Sequence, residues 1–308
     1  MLARLLRWLL LAQMLTGALL GGLIGYATDL ASPTALMLTL GLGLLLPLLT
    51  SAVTVANSLL KSRPAGSGAA WWRAAAGELA AALRVFVLRQ PWTLAPPQVQ
   101  PGLGQQPGIP VLLVHGYICN HRVWDAMAAA LRARGHTVLA INLEPLFCSI
   151  DRYAPLVEQG VNQLCTQSGA QQVALVGHSM GGLALRAWLR THGSSRAARV
   201  ITLGTPHAGT RIAPHAPSAN GQQMVWQSRW LQELAASESP ATRALLRIAL
   251  TPQDNIVYPQ REQVLPGAPV TVFDGLGHLQ LCLAPVVIAW VLAELAELAD
   301  LAELTTTP

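Results

Sequence analysis

The chain has 308 residues, of which 52% are hydrophobic and only 11% charged, and a formal net charge of +5. That length suits one large domain with an appendage, and that apolarity is too high for an ordinary soluble protein unless the excess is localised. Arg4, Arg7, Lys61, Arg63 and Arg73, opposed by Asp29 alone, supply most of the net charge within residues 1–73, so the remainder lacks the basic stripe of a nucleic-acid binder and no nucleic-acid partner is expected.

Residues 9–27 carry no charge, and neither do residues 35–56, although Pro47 lies inside the second run. Each run reaches the roughly 20 residues that a helix needs to cross a bilayer core. Glycines and a proline are tolerated in such helices. Residues 28–33 form a turn between them, so residues 1–63 are predicted to be a membrane hairpin of two apolar helices. Basic residues flank both outer ends, which favours a cytoplasmic face for the following domain, most simply at a bacterial inner membrane. The alternative is a signal peptide over about the first 27 residues, since a charged start and an apolar core are also its marks.

Residues 64–108 follow as an amphipathic helix and a linker. Trp71, Trp72, Leu79, Leu83 and Phe86 alternate with Arg73, Arg84 and Arg89 over residues 69–89. That pattern fits a helix lying in the membrane interface, or one packed on the next domain. Residues 90–110 are rich in Pro, Gly and Gln and read as a linker.

From residue 109 short apolar runs alternate with amphipathic stretches. Strands are predicted at 109–114, 137–142, 172–176, 200–203, 246–250 and 270–273, all without polar alternation, as in strands covered on both faces. Helices are predicted at 121–134, 153–168 and 183–192, and a Leu/Ala/Glu helix at 284–304. Strand–helix alternation implies an α/β domain over 109–308 with a mainly parallel sheet flanked by helices. Cys119, Cys148, Cys165 and Cys282 show no metal-ligand spacing. They read as free thiols, with a Cys119–Cys148 disulfide as the alternative.

Gly177-His178-Ser179-Met180-Gly181 follows one of these strands and opens a helix near Gly182. A G-x-S-x-G in that context is a nucleophile elbow, a strained strand-to-helix turn that presents a serine hydroxyl. His115-Gly116-Tyr117 ends the first strand, which assigns the oxyanion-binding amides to Tyr117 and Met180. The serine needs a base. His278, just after the last strand, satisfies the chain order serine, acid, histidine, whereas His115, His121 and His136 come too early. The acid is expected on the loop after the 246–250 strand, at Asp254, with Asp274 as the rival.

Taken together, these residues resemble bacterial triacylglycerol lipases and esterases of the α/β-hydrolase superfamily. The matching stretches are His115-Gly116-Tyr117, Gly177 to Gly182, Gly204-Thr205-Pro206-His207-Ala208-Gly209-Thr210, Asp254-Asn255-Ile256-Val257 and Gly277-His278. The resemblance covers residues 109–300 and implies an α/β-hydrolase fold with Ser179, Asp254 and His278 as a triad. It implies cleavage of carboxylic esters, lipid-like or otherwise acyl, through an acyl-enzyme and without a cofactor. Some relatives carry a structural calcium, for which no ligands can be assigned here, so no metal is predicted. An acyltransferase would use the same triad, and a non-catalytic membrane-anchored binding module would not need it filled. Residues 211–247 insert an apolar stripe of Met224, Val225, Trp226, Trp230 and Leu231 before the acid. It reads as a cap over the site, or as an ordinary helix packed on the sheet.

Overall fold

The computed structural model describes residues 1–63 and 68–306, with side chains up to 298; the first few residues of the predicted 64–108 segment lie outside these. The two uncharged runs form long helices, α1 (Leu2–Ala27) and α2 (Ser32–Ser62), packed antiparallel. Gly17, Gly21 and Gly25 recur every fourth residue along the α1 face that meets α2. A Cβ at Gly17 would fall 2.3 Å from Leu42 O, and one at Gly21 2.7 Å from Leu38 O. Small residues at this spacing let two apolar helices approach backbone to backbone. Beside Pro47, whose nitrogen has no proton to give, Thr50 Oγ1 donates to Leu46 O at 2.9 Å and Ser51 Oγ to Pro47 O at 2.8 Å. Both helices are long and apolar enough to cross a membrane.

Helix α3 (Ala69–Ala82) runs into a π-helical turn at Leu83–Arg89. The expected choice between interface and domain is divided within it: Trp71 is 2% exposed and packed on the body, whereas Trp72 is 67% exposed. The linker is laid along the sheet edge, where Gln100 N–H donates to Val138 O at 2.8 Å and Val138 N–H to Gln100 O at 2.9 Å. That single bridge occupies the backbone groups of Val138 on the edge strand.

The body is a six-stranded, all-parallel sheet: β1 (Gly108–Val114), β2 (His136–Ile141), β3 (Val173–His178), β4 (Ala197–Leu203), β5 (Leu246–Leu250) and β6 (Val270–Val272), in the order β2-β1-β3-β4-β5-β6. Helices α4 (Asp125–Ala133), α5 (Ala154–Ser168) and α6 (Met180–His192) connect the first strands. After β4 come α7 (Ala219–Gln223), α8 (Arg229–Ala236) and α9 (Pro240–Ala244), and after β6 come α10 (Gln280–Leu283) and α11 (Pro285–Thr306). One core layer packs Leu112 and Leu175 against Val157, Val161 and Trp188 from α5 and α6. The other packs Val111, Leu113 and Val176 against Met127, Leu131, Val287 and Val291 from α4 and α11.

Helix α6 begins at Met180, earlier than glycine-poor helix propensity suggests. Gly181 is there for close approach, since a Cβ on it would lie 2.2 Å from Val114 O. The segment between β4 and β5 packs on the body as well as near the site. Leu231 and Leu234 of α8 are buried in the first core layer, and Trp230 Nε1–H donates to Asp151 Oδ2 at 2.9 Å.

Candidate active site

In-register parallel strands end level with one another, and the loops that leave β1, β3, β5 and β6 meet at that edge. Ligands of open α/β sheets bind there, outside the carboxyl ends of the strands. Pairing of Val114 with Gly177, and of His178 with Leu203, sets the level. Ser179 then leaves β3 at φ 53°, in the left-handed region that non-glycine residues rarely adopt. Its N–H is held by Leu203 O at 2.8 Å. Gly116 passes so close that a Cβ on it would lie 2.8 Å from Ser179 Cβ.

Asp254 is fixed by its own loop: Oδ1 accepts the Ile256 and Val257 amides at 2.9 and 2.7 Å. That leaves Oδ2 for His278 Nδ1, at 2.8 Å. An imidazole donating through Nδ1 carries its free lone pair on Nε2. Asp274, the rival acid, is exposed. Gly204 joins the pair to the serine: a Cβ on it would lie 3.2 Å from both Asp254 Oδ2 and His278 Nδ1, and it directly follows the carbonyl that holds Ser179. Among the described residues, His278 makes no hydrogen bond to the Ser179 hydroxyl. Such bonds are often long until substrate binds.

Tyr117 and Met180 flank a hollow of about 10 Å³ that is also lined by Gly116 and Ile118, about the space of a single water-sized atom. The Met180 amide is the first of α6 and so has no acceptor within its helix. Tyr117 Oη meets Ser218 Oγ at 3.1 Å, and Asn220 Nδ2 reaches Met180 Sδ at 3.4 Å, so the start of the 211–247 segment borders this hollow.

Several partners of the histidine were not foreseen. His178 Nε2 lies 3.1 Å from His278 O, with the rings 4.5 Å apart. Burial, and then the neighbouring His278, hold the His178 pKa well below the usual histidine value, so it is a neutral donor to that carbonyl. Asn255 Oδ1 accepts the His278 N–H at 3.2 Å while its Nδ2 donates to Ser58 Oγ of α2 at 2.8 Å. Glu78 of α3 is 2% exposed and accepts the Leu279 amide at 3.0 and 2.9 Å and the Gln280 amide at 3.3 Å. Burial raises the Glu78 carboxyl to about 7 despite those hydrogen bonds. For His278 burial works against the proton, but the Asp254 carboxylate, by charge and hydrogen bond, and then Glu78 outweigh it, leaving the imidazole above its ordinary value. His115 is neutral, lowered to about 4 by burial; its Nδ1 lies 2.9 Å from Gly116 O and its Nε2 accepts Leu143 N–H at 3.0 Å. All four cysteines are free.

Residues 109–250 match the family model of the α/β-hydrolase fold. The sheet domain has the α/β-hydrolase fold. Triacylglycerol lipases of Pseudarthrobacter phenanthrenivorans and Burkholderia plantarii are each 34% identical to it over 113 residues, 34% of this chain and 35% and 31% of theirs. The chain thus spans about a third of the length of these curated relatives. The mature form of Bacillus licheniformis lipase BlEst2 superposes with a TM-score of 0.57 at 18% identity, covering 66% of this chain and 99% of that one. Its propeptide form gives 0.55 at 19% identity, covering 63% and 52%. These structural likenesses establish the α/β-hydrolase fold of the sheet and its flanking helices; the hairpin and α3 lie before the matched family segment.

Proposed function

We propose that the protein is a membrane-anchored serine hydrolase that cleaves carboxylic esters through an acyl-enzyme on Ser179. The observation that carries this reading is the 2.8 Å Asp254–His278 pair, set across one strand from a serine in left-handed backbone. In the proposed cycle His278 Nε2 takes the proton of Ser179 Oγ as that oxygen attacks the ester carbonyl. The Tyr117 and Met180 amides receive the oxyanion, at about 3–4 kcal/mol of transition-state stabilisation each. His278 then protonates the leaving alcohol, and water, activated by the same imidazole, releases the acid and restores the serine. The triacylglycerol lipases it resembles support an ester as substrate. Two helices long and apolar enough to cross a bilayer, with their outer ends at the domain and flanked by Arg4, Arg7, Lys61 and Arg63, support an anchor with the domain on the cytoplasmic side.

A fluorophosphonate probe is expected to label full-length protein on Ser179 alone; a folded protein that resists the probe would overturn the assignment. Activity should also follow the base. His278 must be neutral to accept a proton, and its pKa sits above the ordinary histidine value. So kcat/KM is expected to fall as pH drops through a point above about 6.5. A flat profile between pH 5 and 8 would remove His278 from the role.

A further inference from the structure

We propose that the cleft between the hairpin and the hydrolase domain is the acyl-chain site, through which a long-chain lipid ester reaches Ser179 sideways from the bilayer. This rests on the ester-hydrolase reading and adds the substrate's class and its route. The cleft has a volume of about 380 Å³, within the range of small-molecule sites. Leu9 and Gln13 of α1, Thr54 of α2 and Val87 after α3 form its walls, while Ile118 and Ile256 face it from the domain.

The two domain residues locate its inner end. Ile118 directly follows Tyr117 and also lines the hollow between Tyr117 and Met180, so cleft and hollow meet at one side chain. The Ile256 amide is donated to Asp254 Oδ1 at 2.9 Å. A chain lying in the cleft therefore brings its carbonyl toward the oxyanion amides and the acid–histidine pair.

The outer walls locate its source. Trp8 and Trp72 are exposed, and the Arg63 guanidinium lies 5.9 Å from the centroid of the Trp72 ring. Exposed indoles with basic neighbours mark the headgroup level of a membrane. Gln13 comes five residues after Trp8, and Thr50, also on the wall, eleven before Lys61. Leu9 and Lys61 line it too, so at about 1.5 Å per residue the cleft runs from the level of that belt to roughly 16 Å on its acyl side. The outer faces of both helices there expose leucines such as Leu15, Leu19, Leu45 and Leu49, an apolar surface that suits lipid and not water. The wall hydroxyls of Thr50 and Thr54 already donate to carbonyls of their own helix, at 2.9 and 2.8 Å, so they leave no unmet donor against a hydrocarbon chain. Moving a chain from bilayer to cleft exchanges one apolar medium for another and exposes no hydrocarbon to water.

The test uses full-length protein in phosphatidylethanolamine–phosphatidylglycerol vesicles. Thr54→Trp fills the cleft away from the reacting groups. It is expected to lower kcat/KM for p-nitrophenyl palmitate at least about tenfold and to leave p-nitrophenyl butyrate within about twofold. Equal behaviour of the two esters overturns the proposal. Because the variant can misfold, a second measurement uses Ser179→Ala protein and a phosphatidylethanolamine carrying a diazirine in its acyl chain. Photolabel is expected on Ile212 or Ile256, which face the cleft from the domain. Label confined to the outward leucines of α1 and α2 overturns the proposal. Labelled Ile212 or Ile256 in a protein whose wild type turns over neither ester would sink the hydrolase reading and leave the acyl site standing. Turnover of both esters with neither Ile212 nor Ile256 labelled would do the reverse.

Discussion

Replacing Ser179 with alanine is expected to lower ester turnover by about 10⁴- to 10⁶-fold while leaving the thermal transition nearly unchanged. The change removes one oxygen atom. Ser179 stands at the start of α6, but its side chain makes no capping hydrogen bond, so the helix loses no partner. The backbone clamps that hold the turn, Ser179 N–H to Leu203 O and Gly182 N–H to Ser179 O at 3.0 Å, do not involve the hydroxyl. Asp254→Asn should lose about 10⁴-fold by a different route, because an amide facing Nδ1 favours the wrong imidazole tautomer. Residues that act as one unit are not additive, so Ser179→Ala combined with His278→Ala should be no slower than Ser179→Ala alone. Steady-state kinetics on the three variants, with melting curves as the folding control, decide the matter. A Ser179→Ala protein that keeps more than about a hundredth of the wild-type rate places the nucleophile elsewhere.

The residues of this proposed site were legible because each follows an apolar run, although β6, before His278, is an edge strand with Val270 and Val272 exposed and not the doubly covered strand expected. The runs around Val111–Val114, Val173–Val176 and Val270–Phe273, and Leu246–Leu250 interrupted only by Arg247, stand out along the chain, so their ends, and the Ser179, Asp254 and His278 beyond them, could be ordered before any geometry was known. What surrounds the histidine was not legible. Glu78 bonds an amide 201 positions away and Ser58 an amide group 197 away, and no local periodicity encodes either contact. The same limit explains α3: a Trp-rich face looks alike whether lipid or protein covers it, and here Trp71 is buried against the body while Trp72 is exposed. The stripe in residues 211–247 was ambiguous for a related reason, since Leu231 and Leu234 face the core whereas Ser218 and Asn220 bond the side chains of Tyr117 and Met180.

Glu78→Ala is expected to reduce kcat/KM by about 10²-fold, although Glu78 is argued to act only through His278 as a positioning residue. Its carboxylate is the acceptor for the two amides that follow His278, at Leu279 and Gln280. Leaving a buried amide without a partner costs about 1–3 kcal/mol, which the loop can recover only by moving, and with it the imidazole. The packing is tight on both sides of the carboxylate: a Cβ on Gly277 would lie 2.5 Å from Glu78 Oε2, so Gly277→Ala should disturb the same contact from the opposite direction. Glu78→Gln separates hydrogen bonding from charge. Its amide oxygen can still accept the Leu279 N–H, so most of the rate should remain. Its neutrality, however, removes a negative charge that favours the protonated form of His278. The His278 pKa then falls, and the acid limb of kcat/KM moves to lower pH than in the wild type. A purely structural role for Glu78 moves the rate and not the limb, so an unshifted limb in Glu78→Gln, or one displaced to higher pH, would break the proposed link between this N-terminal helix and the base.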